Sequence, residues 1–133
     1  MNTNENMKTI LIVDDDPDQL EQLRFHVTNF GYQPVTACSQ KEGEERLMNM
    51  KPDLAIVDLM MENQDSGFIL SYKIKKKYPD VPVIIVTSVT AVTGLNFSLE
   101  TGNDKRWIKA DKYIEKGIRP DQLHREINKL LKV

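Results

Sequence analysis

The sequence predicts an α/β fold in which helices cover both faces of a parallel sheet. Short apolar runs alternate with segments whose apolar residues recur at helical spacing, a pattern typical of βα units. The apolar runs are continuous, as strands buried on both faces require. The 133 residues fit one domain, and a hydrophobic content of 40% is ordinary for a globular chain.

The first βα unit begins near the amino terminus. Residues 9–13 form an apolar run rich in β-branched side chains, which predicts the first strand. Asp16 followed by Pro17 predicts an N-cap and the first turn of a helix, and Gly31 is placed to end that helix.

The second unit is more weakly patterned. Residues 33–37 predict an edge strand, because Pro34 cannot donate to a strand ladder. Ser39 and Glu42 have the spacing of a capping box, which opens a helix reaching about Met50.

The third unit starts with residues 54–57, a buried strand that ends at Asp58. A helix is predicted from about residue 67 to 78, because Pro79 stops it. The lysines within residues 73–77 are expected to form the solvated side of this helix.

The last part of the chain contains two further strands and a helix. Residues 81–87 predict a central strand, 112–115 a short fifth strand, and 120–131 a helix with one apolar stripe. The connection at 88–111 has poor periodicity, and we expect mostly loop there, with a short helix near 103–110.

Composition excludes several function classes. A net charge of −2 gives no electrostatic support for coating nucleic acid, and no apolar run is long enough to span a membrane. The single cysteine, Cys38, cannot form an internal disulfide, which fits a reducing cytoplasm. We expect residues 1–7 to be a frayed leader and residues 8–133 to form the domain.

Polar side chains lie where the predicted strands end. Asp14 and Asp15 follow the first strand, Asp58 the third, Thr87 ends the fourth, and Lys116 follows the fifth. Parallel α/β sheets bind ligands at these carboxyl ends. If the strands that carry these residues are neighbours in the sheet, three carboxylates come together. Such a cluster requires a hard cation, Mg²⁺ first, while the lysine and hydroxyl suit a phosphoryl group. A carboxylate can itself accept that group as an aspartyl phosphate.

Four segments in the same order resemble those of bacterial response-regulator receiver domains: residues 10–17, 53–61, 81–88 and 113–116. The resemblance implies a flavodoxin-like, doubly wound sheet of five parallel strands in the order 2-1-3-4-5. It also implies a stand-alone, chemotaxis-regulator-like switch, not an enzyme, that receives a phosphoryl group from a sensor histidine kinase or a phosphotransfer protein. An unknown downstream protein would read the switch, without direct contact to nucleic acid or membrane. The domain would be a monomer or a phosphorylation-dependent homodimer.

The resemblance also assigns a Mg²⁺ site. Asp58 is the phosphoacceptor and, with Asp15, a direct ligand of Mg²⁺, while Asp14 acts through water and Met60 contributes its backbone carbonyl.

Three more residues have roles implied by the resemblance. Thr87 and Lys116 contact phosphoryl oxygens, and Tyr113 swings inward as the switch propagates.

Two of the chain's departures from the family pattern lie between its fourth strand and its last helix. Gly117 stands where the family has a proline after a cis bond, so Lys116–Gly117 is either trans, with glycine absorbing the change, or strained. The connection between Thr87 and Lys116 is extended and atypical, which predicts either a remodelled partner-binding face or a passive surface insertion.

Two alternatives stay open. The chain could be a receiver-like binding module that works without phosphate. It could also be a haloacid-dehalogenase-like phosphatase, with Asp14 as nucleophile and Asp16 as general acid.

Overall fold

The predicted α/β architecture is confirmed. A computed structural model describes residues 7–61, 66–87 and 110–132. In this part of the chain five parallel strands form one sheet, in the order β2-β1-β3-β4-β5. The strands are β1 (Thr9–Val13), β2 (Gln33–Ala37), β3 (Leu54–Asp58), β4 (Val83–Thr87) and β5 (Lys112–Glu115), and the helices are α1 (Pro17–Asn29), α2 (Gln40–Asn49), α3 (Ser66–Lys77) and α4 (Pro120–Leu131).

Some expectations concern residues outside the described ranges. These are almost all of the leader at 1–7 and of the connection at 88–111, including the short helix expected near 103–110. Among the described helices, none is long and apolar enough to cross a membrane.

The fourth strand is shorter than its apolar run suggested. It begins at Val83 and not at Val81, because the Val81 N–H closes a turn to the carbonyl oxygen of Tyr78 at 3.1 Å. Pro82, which follows, has no N–H to contribute to a ladder.

Two apolar cores lie on opposite faces of the sheet. Successive residues of β1 contribute to different cores, since Leu11 and Val13 face one side and Ile10 and Ile12 face the other. The first core is completed by α2 and α3, and the second by α1 and α4. Each fully buried aliphatic side chain contributes about 1.5–3 kcal/mol. The central strands are therefore held firmly, with their carboxyl ends at one edge.

The helix caps expected from the sequence are present. The Asp16 carboxylate accepts the N–H of Asp18 at 3.0 Å, and the Ser39 hydroxyl accepts the N–H of Glu42 at 3.0 Å. The Glu42 carboxylate accepts in turn from the N–H of Cys38.

The lysines of α3 do not simply form a solvated face. Lys73 pairs with Glu44 on α2 at 2.9 Å, and Lys75 pairs with Asp111, just before β5, at 2.7 Å. Lys77 donates to the backbone carbonyl of Leu47 at 2.9 Å. The helical pattern placed these side chains on an outer face, but it could not show which neighbouring elements would meet them there.

Candidate functional site

The acidic cluster forms where two central strands end side by side. Val13 of β1 is paired with Val57 of β3, so Asp14 and Asp58 follow paired positions at the carboxyl edge. One carboxylate oxygen each of Asp14, Asp15 and Asp58 lies within 4.8 Å of the other two. The cluster expected from the sequence is therefore present.

Asp14 is the most deeply placed of the three acids. It is fully buried; its Oδ1 accepts the N–H of Asp16 at 2.9 Å, and its Oδ2 is buried without a hydrogen-bond partner among the described residues. Burial raises the pKa of Asp14 from 3.8 to about 7, and the charge of Asp58 adds to the rise, although the bond from Asp16 opposes it. A charge that is costly to bury favours binding of either a proton or a cation.

Asp58 combines burial with a cationic partner. Its side chain is 2% exposed, and its Oδ1 lies 3.5 Å from Nζ of Lys116, while within the described ranges its Oδ2 has no hydrogen-bond partner. Burial raises the pKa of Asp58, the Lys116 ammonium opposes that rise, and the charge of Asp15 adds to it. Asp58 thus presents one oxygen to lysine and keeps the other available for chemistry.

Lys116 reaches the cluster through an ordinary trans backbone. Its N–H donates to the carbonyl oxygen of Thr87 at 2.9 Å, which continues the ladder beyond β5. No cis peptide occurs in the described ranges, and Gly117 has φ +87°, a value that glycine adopts readily. The first of the two open possibilities is therefore observed: glycine provides the turn that the missing proline would otherwise shape.

Thr87 and Tyr113 lie on the neighbouring strands. Thr87 is buried at the end of β4. Tyr113 is half-buried on β5 with its ring edge-on to Phe68, the ring centres being 6.4 Å apart. Its hydroxyl is buried with no hydrogen-bond partner in the described part of the chain, and burial raises the pKa of Tyr113 to about 12. The ring is thus already directed into the protein.

Two features beside Asp58 complete the surroundings. Met60 is 45% exposed at the mouth of the site. Gly67, at the start of α3, donates its N–H to the carbonyl oxygen of Leu59 at 2.7 Å. A Cβ at Gly67 would lie 2.5 Å from Leu59 Cα and 2.6 Å from the carbonyl oxygen of Asp58. The helical pattern predicts only that a helix begins near Gly67, and the sequence itself shows no more than a small residue there.

The donor set fits a hard divalent cation. Mg²⁺ prefers carboxylate and carbonyl oxygens, and two buried carboxylate oxygens of the cluster, one on Asp14 and one on Asp58, have no hydrogen-bond partner among the described residues. A dication would offset the cost of burying these two charges, which is the main reason for their raised pKa values, and would relieve the repulsion that adds to it.

Comparison with known proteins agrees with this geometry. The profile of the response regulator receiver domain family matches residues 10–128. The chain belongs to this family. The receiver domain protein (CheY-like) of Methanospirillum hungatei JF-1 superposes with a TM-score of 0.80 at 30% identity, covering 95% of this chain and 94% of that one. The response regulator TrrA of Thermotoga maritima, solved in complex with Mg²⁺ and BeF, gives 0.76 at 30% identity, covering 93% and 99%.

The curated relatives are longer proteins. The transcriptional regulatory protein CssR of Bacillus subtilis (strain 168) is 32% identical over 125 residues, which is 94% of this chain and 52% of CssR. Among the curated relatives that the chain matches, the share of the relative's own length that is covered ranges from 18% to 52%.

Family membership establishes the general role. Receiver domains of response regulators receive phosphate from histidine kinases, and phosphorylation on aspartate is typical of them. They bind Mg²⁺ at an acidic pocket, which the cluster of Asp14, Asp15 and Asp58 fits, and they are generally not catalytic enzymes.

Proposed function

We propose that Asp58 accepts a phosphoryl group in a Mg²⁺-dependent reaction, from a sensor histidine kinase or a phosphotransfer protein. One observation carries the proposal. The buried Asp58 carboxylate has an ammonium group 3.5 Å from one oxygen and two further carboxylates beside it. This arrangement combines a nucleophile, a cationic partner for phosphoryl oxygens, and ligands for a divalent ion.

The transfer would be a nucleophilic displacement at phosphorus. A carboxylate oxygen of Asp58 forms the new O–P bond while the P–N bond of a phosphohistidine breaks. The departing imidazole nitrogen keeps the electron pair and takes up a proton. Mg²⁺, when held by Asp14, Asp15, Asp58 and the backbone carbonyl of Met60, would neutralise charge on the phosphoryl oxygens.

One cationic and one polar side chain would then bind the phosphorylated aspartate. Lys116 is already within reach of Asp58 and would pair with a phosphoryl oxygen once the carboxylate has become an acyl phosphate. Thr87, at the end of the adjacent strand β4, would donate its hydroxyl to another oxygen.

The switch would be read by a downstream protein. Thr87 on β4 is paired with Glu115 on β5, and Tyr113 lies two residues before Glu115 on the same strand. Movement of Thr87 would therefore change the surroundings of the Tyr113 ring. Through this change the domain would gain or lose affinity for its target, or form a homodimer. That the domain works as a stand-alone regulator stays a prediction.

The phosphatase alternative is less well supported. It needs Asp16 as a general acid beside Asp14, but the Asp16 carboxylate is exposed and accepts the N–H of Asp18 as the cap of α1. The phosphate-independent module is also disfavoured, because Lys116 reaches Asp58 in spite of Gly117.

The test is phosphoryl uptake from acetyl phosphate, followed by intact mass. We expect a gain of one phosphoryl group that requires Mg²⁺, is lost in Asp58→Asn, and is kept in Asp80→Asn, a surface acid paired with Lys51. Uptake that survives in Asp58→Asn but is lost in Asp14→Asn would instead support the phosphatase. No uptake, together with no response to beryllofluoride, would leave the phosphate-independent binding module.

A further inference from the structure

Two aspartates tie strands together at the edge of the sheet opposite the acidic cluster. Asp53, just before β3, donates its N–H to the Thr9 carbonyl at 2.8 Å, and its carboxylate accepts the Thr9 N–H at 2.7 Å. Asp111, just before β5, makes the same pair of bonds with Val83, both at 2.8 Å. We call each arrangement an aspartate clasp. A clasp defines which residue of one strand lies beside which residue of the next.

Each clasp stands at a fixed distance from a residue of the site. Asp58 follows Asp53 by five positions, and Lys116 follows Asp111 by five positions. Both members of the pair that meets at 3.5 Å are therefore carried by strands whose beginnings are clasped. A slip of one residue would shift a strand by about 3.3 Å and turn every side chain to the other face. The contact between Lys116 and Asp58 would not survive such a slip.

The two strands differ in what else fixes their register. All five residues of β3 are buried, and the strand is paired on both sides, with β1 and β4. Strand β5 has four residues and a single neighbour in the described sheet, and Ile114 is its one buried residue. Packing alone specifies the register of β3 but only weakly that of β5.

A third group holds the clasp of β5 in place. Nζ of Lys75 lies 2.7 Å from the Asp111 oxygen that also accepts from Val83, and the Lys75 side chain is 17% exposed. Lys75 belongs to α3, which packs in the core that covers β3 and β4. Asp111 is therefore anchored both to the backbone of β4 and to a helix above the sheet.

We infer that Asp111 is a positioning residue that sets the register of β5 and thereby places the Lys116 ammonium against Asp58. The chemical consequence, faster phosphoryl transfer, rests on the proposed function of the site; the geometric consequence does not. Asp53 makes the same bonds on a strand that packing already fixes, and it provides the matched control.

The geometric test measures the coupling between Lys116 and Asp58 without any phosphoryl donor. A double-mutant cycle with Lys116→Met and Asp58→Asn, followed by urea unfolding at pH 8 without Mg²⁺, gives this coupling. We expect the coupling to fall at least about twofold in Asp111→Ala and to be unchanged in Asp53→Ala. Equal coupling in the wild-type and Asp111→Ala backgrounds, or an equal loss in Asp53→Ala, would overturn the inference.

Milder variants cover the case in which Asp111→Ala fails to fold. Asp111→Asn keeps an oxygen for the Val83 N–H but loses the ion pair, and Lys75→Met removes only the ion pair. Both should weaken the coupling by less than Asp111→Ala does. If both variants keep the full coupling energy and are as stable as the wild type, the positioning role is also refuted.

The chemical test uses acetyl phosphate and the full chain. Phosphoryl uptake should slow about tenfold in Lys116→Met, the range expected for one charge-assisted bond, and by less in Asp111→Ala. The double variant should be no slower than Lys116→Met, and Mg²⁺ affinity should be unchanged in Asp111→Ala. If the effects of Lys116→Met and Asp111→Ala on the uptake rate instead add in the double variant, Asp111 does not act through Lys116. If the wild-type chain takes up no phosphoryl group, the proposed function fails, and the coupling measurement alone decides the inference.

Discussion

Replacing the buried Asp14 with asparagine should stabilise the protein in the absence of Mg²⁺. Burial raises the pKa of Asp14 from 3.8 to about 7, so the native state binds a proton more tightly than the unfolded chain does. The contribution of Asp14 to wild-type stability therefore falls as the pH rises from 3.8 through about 7, and above that range the full cost of the buried charge is present. Asparagine removes the charge but keeps an oxygen for the N–H of Asp16.

The size of the effect follows from the difference in proton affinity. Each pKa unit corresponds to about 1.4 kcal/mol. The rise of the Asp14 pKa from 3.8 to about 7 therefore limits the gain in the free energy of unfolding to about 4 kcal/mol. We expect about 2 kcal/mol, because the new amide must also be buried and hydrogen-bonded. In a domain of 133 residues this corresponds to roughly 8 °C in Tm.

Thermal and urea unfolding in a chelator, at pH 5 and pH 8, would measure this gain. The variant should be more stable than wild type at pH 8 and close to it at pH 5. Asp15→Asn is the control, since Asp15 belongs to the same cluster but is exposed, and its gain should be smaller. Mg²⁺ should stabilise the wild type more than Asp14→Asn, because it binds the native cluster. The reasoning fails if Asp14→Asn gives no gain at pH 8, or an equal gain at both pH values.

Two glycines give further predictions. Gly67→Ala should cost about 3 kcal/mol in urea unfolding, because its Cβ would lie 2.5 Å from Leu59 Cα, whereas the control Gly43→Ala, which meets the end of a Leu70 side chain at 3.0 Å, should cost less. Equal costs would contradict the close backbone approach. Gly117→Pro should lower stability by about 3 kcal/mol and slow phosphoryl uptake, because proline cannot adopt φ +87°, and Gly117→Ala should cost about 1 kcal/mol. Wild-type stability and uptake in Gly117→Pro would show that this turn does not position Lys116.

Much of the fold could be predicted because its three central strands are buried on both faces. Such strands need continuous apolar residues, and the runs at 9–13 and 54–57 are therefore visible without any alignment. Caps such as Asp16 and Ser39 depend on bonds two or three residues away, so local sequence also indicated where helices begin. The limit of this reasoning appears at Val81, where an apolar run continues through a turn.

The acidic cluster was also predictable, for a topological reason. Acids directly after parallel strands must meet if those strands are neighbours, and the strand order supplied by the family resemblance made β1 and β3 neighbours. What the sequence by itself determined is therefore the set of elements and the residues at their ends. Their order in the sheet came from likeness to other chains, and the structure agrees with it.

Only the tertiary structure decided the relations between residues far apart in sequence. Asp111 has no local signal that distinguishes it, and its role depends on Val83 and Lys75, which reach it from β4 and α3. Gly67 is constrained by a backbone that approaches it in space, and the raised pKa of Asp14 depends on how completely its neighbours exclude water. Packing distances and desolvation arise only when segments far apart in sequence come into contact, so local sequence patterns do not predict them.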